Sequence, residues 1–203
     1  GRRSLGNTFN EIFAIRDAFA GIRMAGKTDI QIIKEGLSVH GLSSDHRNLP
    51  PILSVYLKNL KTEIMNREKH INPGVVELLD TLKAMDGYWL GLLTGNIERG
   101  AMIKLGAFGL NEYFSVGAFG DDNENRNLLL PIAMEKFRKM TNISINYDDC
   151  IVIGDTPSDV QCSKPYGAVS IAVSTGPYSY DSLLETGADY VLRDLLYAIN
   201  IIS

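Results

Sequence analysis

Apolar residues along the chain change rhythm once, near residue 72. Over the first 70 residues they recur at helical spacing. Ile12, Ile15, Phe19 and Ile22 form one such series, and Leu53, Tyr56, Leu60 and Ile64 form another. Thr28-Asp29-Ile30-Gln31 has the form of a capping box, which predicts a helix that starts there, runs toward His40 and stops at Gly41. Pro50-Pro51 predicts the opening of the next helix. Residues 1–70 therefore read as a small helical unit.

After Asn72-Pro73-Gly74, a strong turn signal, amphipathic helices alternate with short apolar strands. Val75, Leu78, Leu79, Leu82 and Met85 make one helix face, and another helix should end near Leu105. Strands are predicted over 88–93, 113–118, 150–154, 169–173 and 189–192, with helices over 127–140 and 157–165. The alternation predicts an α/β fold in residues 71–203: one parallel sheet, helices on both faces, right-handed crossovers. In such sheets ligands bind beyond the carboxyl ends of the strands. Two of the strand ends here carry chemically loaded sequences.

Composition narrows the class. With 203 residues, 45% hydrophobic and 22% charged, the chain fits one domain, or one domain with an insertion, and can bury a sizeable core. A formal net charge of −4, with Lys and Arg scattered rather than gathered, argues against nucleic acid or an anionic membrane as a partner. No run approaches the roughly 18 apolar residues of a spanning helix. The opening Gly-Arg-Arg-Ser-Leu-Gly-Asn has no apolar signal core, so a cytoplasmic location is expected. Cys150 and Cys162 are too few for a disulfide framework and lack zinc spacing, and Cys150 reads as a packing residue. His40, His46 and His70 precede the loaded strand ends and read as solvated or helix-end residues.

The first loaded end is Gly91-Leu92-Leu93-Thr94-Gly95-Asn96. A hydroxyl followed by Gly and Asn offers an O–H donor and backbone N–H groups near a helix start, which suits a phosphate oxygen. The same tripeptide is equally an ordinary turn and cap. The second is Cys150-Ile151-Val152-Ile153-Gly154-Asp155-Thr156-Pro157-Ser158-Asp159. Carboxylates four residues apart around a loop-to-helix turn form a hard-oxygen site suited to Mg²⁺. The alternative is that Asp155 only caps the helix begun by Pro157, which leaves Asp159 without a reason. Between the two lies Arg126, a cation at a helix start where the dipole disfavours it. It reads either as reaching for a phosphate or carboxylate cluster or as a solvated loop residue.

These motifs resemble those of the haloacid dehalogenase superfamily hydrolases, in particular the phosphoglycolate-phosphatase-like branch. Leu93-Thr94-Gly95-Asn96 is similar to the family's second motif and Gly154-Asp155-Thr156-Pro157-Ser158-Asp159 to its fourth. Asn72-Pro73-Gly74-Val75, the run from Lys104 to Asp121, and Ser174-Thr175-Gly176 support the match, which covers about residues 72–193. The resemblance implies a Rossmann-like core over 71–203 with a helical cap over 1–70. It implies a Mg²⁺-dependent phosphatase acting through a phospho-aspartyl intermediate on a small phosphorylated metabolite. Thr94 would bind the phosphoryl group with Gly95 and Asn96, and Asp155 would hold the metal. Asp159 would orient the metal's water or the neighbouring cation. Arg126 would stand where the family has a lysine, with Lys136 as the alternative. Lys27, Thr28 and Asp29 would face the substrate from the cap, although Thr28 and Gln31 already complete a capping box.

One departure is large. Family members open with a strand and an Asp-x-Asp-x-Thr motif that supplies the nucleophile, and no Asp-x-Asp occurs in these 203 residues. Asp121-Asp122 and Asp148-Asp149 have the wrong spacing and read as loop residues. Because that strand is central in the family's sheet, its absence would leave two inner strands with unpaired backbone groups. The chain is therefore expected to be a fragment, inert by itself, of an enzyme. Phosphate-monoester hydrolysis needs up to roughly 10²¹-fold acceleration, of which a carboxylate nucleophile supplies a large share. Alternatives are a phosphosugar mutase or a dehalogenase of the same fold, and a non-catalytic binding protein. A dehalogenase needs no metal and leaves Asp155 and Asp159 unexplained. A receiver-type domain fits poorly, since the carboxylates sit on a late strand.

Overall fold

The computed structural model describes residues 1–45, 47–65 and 70–202. His46, read from the sequence as a solvated or helix-end histidine, lies outside the described residues. The helical unit is built from α1 (Arg2–Phe13), α2 (Asp29–Val39) and α3 (Leu49–Met65). The Thr28 box forms as the spacing predicts, with Gln31 N–H donating to Thr28 Oγ1 and the Gln31 side chain accepting from Thr28 N–H. His40 closes α2, and its Nε2 lies 2.9 Å from the Ala18 carbonyl.

The helical series Ile12-Ile15-Phe19-Ile22 is corrected. Helix α1 ends at Phe13 because Ala14 turns left-handed (φ 57°), with its N–H donating to the Asn10 carbonyl and Ile15 N–H to the Phe9 carbonyl. Residues 16–21 are turns. Phe19 and Ile22 are nevertheless buried, since the turn folds back on the helices and sets Phe19 edge-on to Phe9 at 4.6 Å. A packed loop can reproduce a helix's spacing without its hydrogen bonds. The helical unit's core, which includes Leu5, Phe9, Ile33, Ile52, Tyr56 and Leu60, extends to Ile97 of the second half.

That half carries β1 (Gly91–Leu93), β2 (Val116–Ala118), β3 (Ile151–Gly154), β4 (Val169–Val173) and β5 (Tyr190–Leu192). The helices around them are α4 (Val75–Ala84), α5 (Glu98–Gly106), α6 (Leu129–Thr141), α7 (Pro157–Ser163), α8 (Tyr180–Leu184) and α9 (Ile199–Ile202). All ladders are parallel, as in an α/β fold. The parallel sheet is split in two, β1-β2 and β3-β4-β5, with no ladder between β1 and β3 among the described residues, which is the gap between two inner strands expected where the family's first strand is missing. Each of those strands therefore pairs along one edge only. Successive residues of β3 point to opposite faces: Val152 packs with Leu130 of α6 and Cys162 of α7, and Ile153 packs with Leu78 and Leu82 of α4. Leu93 joins the first cluster and Leu90 the second, so side chains link the two sheets across the gap. Among the described residues no helix is long and apolar enough to cross a membrane.

Candidate functional site

The carboxyl ends of β1 and β3 open into one cleft of about 640 Å³ beneath the helical unit. Thr94, Gly95, Asn96, Arg126 and Asp155 line it from below, and Lys27 and Asp29 from above. Thr94 follows β1. Its Oγ1 accepts from Asn96 N–H at 3.2 Å, which leaves the hydroxyl proton able to donate to an incoming oxygen. Gly95 is a contact point between the two halves, since a Cβ there would collide with the Lys27 carbonyl and the Thr28 backbone. Its carbonyl accepts from Asp29 N–H at 2.7 Å.

At the N-terminus of α5 two amides beyond Asn96 are already taken. Ile97 N–H donates to Asp29 Oδ2 at 3.0 Å and Glu98 N–H to Asp121 Oδ1 at 2.9 Å, so two carboxylates already answer the dipole there. Asp29 is buried and also accepts from Tyr56 Oη and Asn96 Nδ2, both at 3.3 Å. Asn96 Oδ1 in turn accepts from Lys104 Nζ at 2.9 Å. The Asn96 side chain, expected on phosphate, is thus a bridge between Asp29 and Lys104. Burial pushes the Tyr56 hydroxyl pKa up, with Asp29's charge adding to it, and burial pushes the Lys104 ammonium down while Asp29 opposes.

Thr156, not Asp155, caps α7. Asp159 completes that capping box: its Oδ2 accepts from Thr156 N–H at 2.9 Å and Thr156 Oγ1 at 2.8 Å, and its Oδ1 pairs with Arg126 Nη2. Asp159 therefore has the structural reason that the sequence reading withheld. Both its oxygens are engaged, and its pairing with Arg126 is the cation-orienting role that the resemblance gave as one of two for Asp159. Arg126 reaches the carboxylate cluster, as one of its two readings required. Lys136 does not compete for the place, since its Nζ donates to Asp122 Oδ2 at 2.6 Å and lies over the Phe119 ring.

Asp155 is left facing the cleft. Burial first, and the charge of Asp159 second, raise its carboxyl above the ordinary range, against a smaller opposing pull from Arg126. A Cβ on Gly176 would strike this carboxylate, so glycine there keeps the space Asp155 occupies. Such a carboxylate favours a cation. One protein carboxylate with water completing the shell is within the habit of Mg²⁺, so Asp155 fits as a ligand. Among the described residues no three His, Cys, Asp or Glu side chains gather into a larger metal cage.

Comparison with known proteins decides the family. Residues 22–173 match the haloacid dehalogenase-like hydrolases. The chain belongs to that family. Over 140 residues, 68% of its length, it is 29% identical to a pyrophosphatase PpaX of Halalkalibacterium halodurans. Over 132 residues, 65% of its length, it is 25% identical to a phosphoglycolate phosphatase of Salmonella typhi. These alignments span 63% and 50% of the two relatives. A crystal structure of a predicted phosphatase from Clostridium acetobutylicum has the same fold, with a TM-score of 0.72 at 23% identity over 98% of this chain and 88% of that one.

Within this haloacid dehalogenase-like fold, Lys104, Arg2, Arg23 and Tyr178 also line the cleft and were not foreseen. Arg23 donates to Tyr178 Oη at 2.5 Å across 155 residues of sequence, and no local signal announces such a pair. Lys104 sits eight residues after Asn96 and bonds to it, a spacing that the helical period alone made readable. Thr28, expected at the substrate, is fully buried in its capping box, with Oγ1 3.3 Å from the Glu124 carbonyl. Lys27 lines the cleft but pairs with Glu35. The cysteines are inert packing groups: burial pushes the Cys162 thiol up to about 11, and burial with Asp149 and Asp148 raises Cys150.

Proposed function

We propose that the protein is a Mg²⁺-dependent phosphatase acting on a small phosphorylated metabolite. The observation that carries the reading is the meeting of Thr94, Arg126 and Asp155, from three separate segments, in one cleft. The chain's net charge is −4, yet Arg2, Arg23, Lys27, Lys104 and Arg126 outnumber Asp29 and Asp155 along its walls. Cations focused in a cleft draw anions in and stabilise charge that spreads over a transferring phosphoryl group. The names of the two relatives, a pyrophosphatase and a phosphoglycolate phosphatase, support the same class of ester and anhydride.

Thr94 donates its hydroxyl to a phosphoryl oxygen, and Arg126, held rigid by Asp159, presents its guanidinium beside it. Bound at Asp155, Mg²⁺ would supply Lewis-acid charge on a phosphoryl oxygen. Asp155 remains ionised in that state, against the burial that would protonate it. Lys27 and Asp29 close the cleft from the cap side. The aspartyl intermediate of the family needs an Asp-x-Asp pair, and hydrolysis by these 203 residues alone should be slow.

Phosphate release from small phosphorylated acids and sugars, with and without Mg²⁺, tests the proposal in the protein that carries this chain. Asp155→Asn should lower turnover by at least about 100-fold, whereas Asp45→Asn, on an exposed loop, should leave it unchanged. Equal tolerance of both substitutions would refute the metal assignment. Transfer of phosphate between sugar positions without its release would mark a mutase instead.

A further inference from the structure

Cations in the cleft differ in whether a carboxylate already answers them. Arg126 is paired with Asp159 and Lys27 with Glu35. Arg2 turns away, donating to the Phe19 carbonyl at 2.6 Å and thereby fixing the turn that leads to Arg23. Lys104 is bonded to an amide oxygen beside Thr94. Arg23 has no carboxylate within ion-pair distance among the described residues. Its neighbour is Tyr178, whose hydroxyl accepts from Nη2 at 2.5 Å and whose ring centroid lies 5.1 Å from the guanidinium carbon. A ring face and one hydroxyl hold the planar cation in place without neutralising it.

We propose that Arg23 is a specificity-determining residue that receives a second anionic group of the substrate. The deeper pole of the cleft, at Thr94 and Arg126, takes the phosphoryl group, so this inference rests on the phosphatase reading. Arg23 belongs to the segment before α2 and Tyr178 to the loop after β4, so they form a second pole contributed by both halves of the molecule. The substrate class is then a small phosphoester carrying a carboxylate or a further phosphate. A neutral sugar phosphate leaves Arg23 without an anion. A guanidinium seated on a ring keeps its outward N–H donors in a fixed fork, which suits bidentate recognition of either group.

Calorimetric titration of the full protein that carries this chain, in Mg²⁺ buffer, separates the two poles with phosphonoacetate, which carries both anions, and ethylphosphonate, which lacks the carboxylate. Phosphonoacetate should bind the wild-type protein about tenfold more tightly. Arg23→Gln should abolish that advantage while changing ethylphosphonate affinity less than twofold. The exposed position of Arg23 should leave the melting midpoint unchanged, which a thermal scan checks. Equal loosening of both probes, or no preference for phosphonoacetate in the wild-type protein, would overturn the second pole and leave the phosphoryl reading standing. Failure of both probes to bind would remove the phosphoryl reading, and this inference with it.

Discussion

Removing the Asp159 carboxylate would strand two neighbours at once. Arg126 would keep a buried guanidinium without its counter-ion, and Thr156 would lose the acceptor for its N–H and its hydroxyl. Asp159 is 5% exposed, so water does little to replace either partner. Asp159→Ala should therefore cost about 3 kcal/mol in urea unfolding, and a loss below about 1 kcal/mol would contradict the arrangement. Part of this was open to the sequence but missed there: Thr156-Pro-Ser-Asp159 has the spacing of a capping box, the same signal that located α2 from Thr28 and Gln31, yet the cap was given to Asp155. The other part was not, because Arg126 is 33 residues distant and only the fold selects it from the chain's other cations.

Strand β4 was readable residue for residue, since Val169, Ile171, Ala172 and Val173 carry a parallel strand's apolar character, with only Ser170 polar among them. Strand β1 is shorter than Tyr88–Leu93 implied, because Tyr88 and Trp89 lie before the ladder and stay partly exposed. Asp189 ties β4 to the approach of β5: it accepts from Ser170 N–H at 2.8 Å and Ser170 Oγ at 2.6 Å, and from Lys164 Nζ at 3.2 Å. These bonds, those from Ser170 foremost, lower its pKa to about 2 from an ordinary 3.8. A depressed carboxylate stabilises the fold above its unfolded pKa and loses that contribution as pH falls through the folded one. The gap in urea midpoint between wild type and Asp189→Asn should thus hold at pH 6 and narrow between about pH 4 and pH 2. A gap unchanged at pH 2 would show that the charge is not what matters.

The helical unit and the strand-bearing half are joined by one buried carboxylate more than by any surface pair. Asp29 belongs to α2, yet it terminates α5 and accepts from Tyr56 of α3. Asp29→Ala should cost about 3 kcal/mol and release the Ile97 amide to hydrogen exchange well before the amides of β4. Retained protection at Ile97 would show that packing alone holds the halves. The resemblance placed Asp29 at the substrate, and its bridging role was hidden because its partners lie 27 and 68 residues away. The overall plan, helical unit then alternating strands, was legible because periodicity is local. The division into two ladders was legible only through the resemblance, as the gap that a missing central strand leaves. It also has a cost for handling these 203 residues by themselves. Bare amides and carbonyls along β1 and β3, with Ile151 37% exposed beside them, are templates for stray extended polypeptide. Self-association in concentrated solution should therefore begin at the middle of the molecule, and not at its outermost strands.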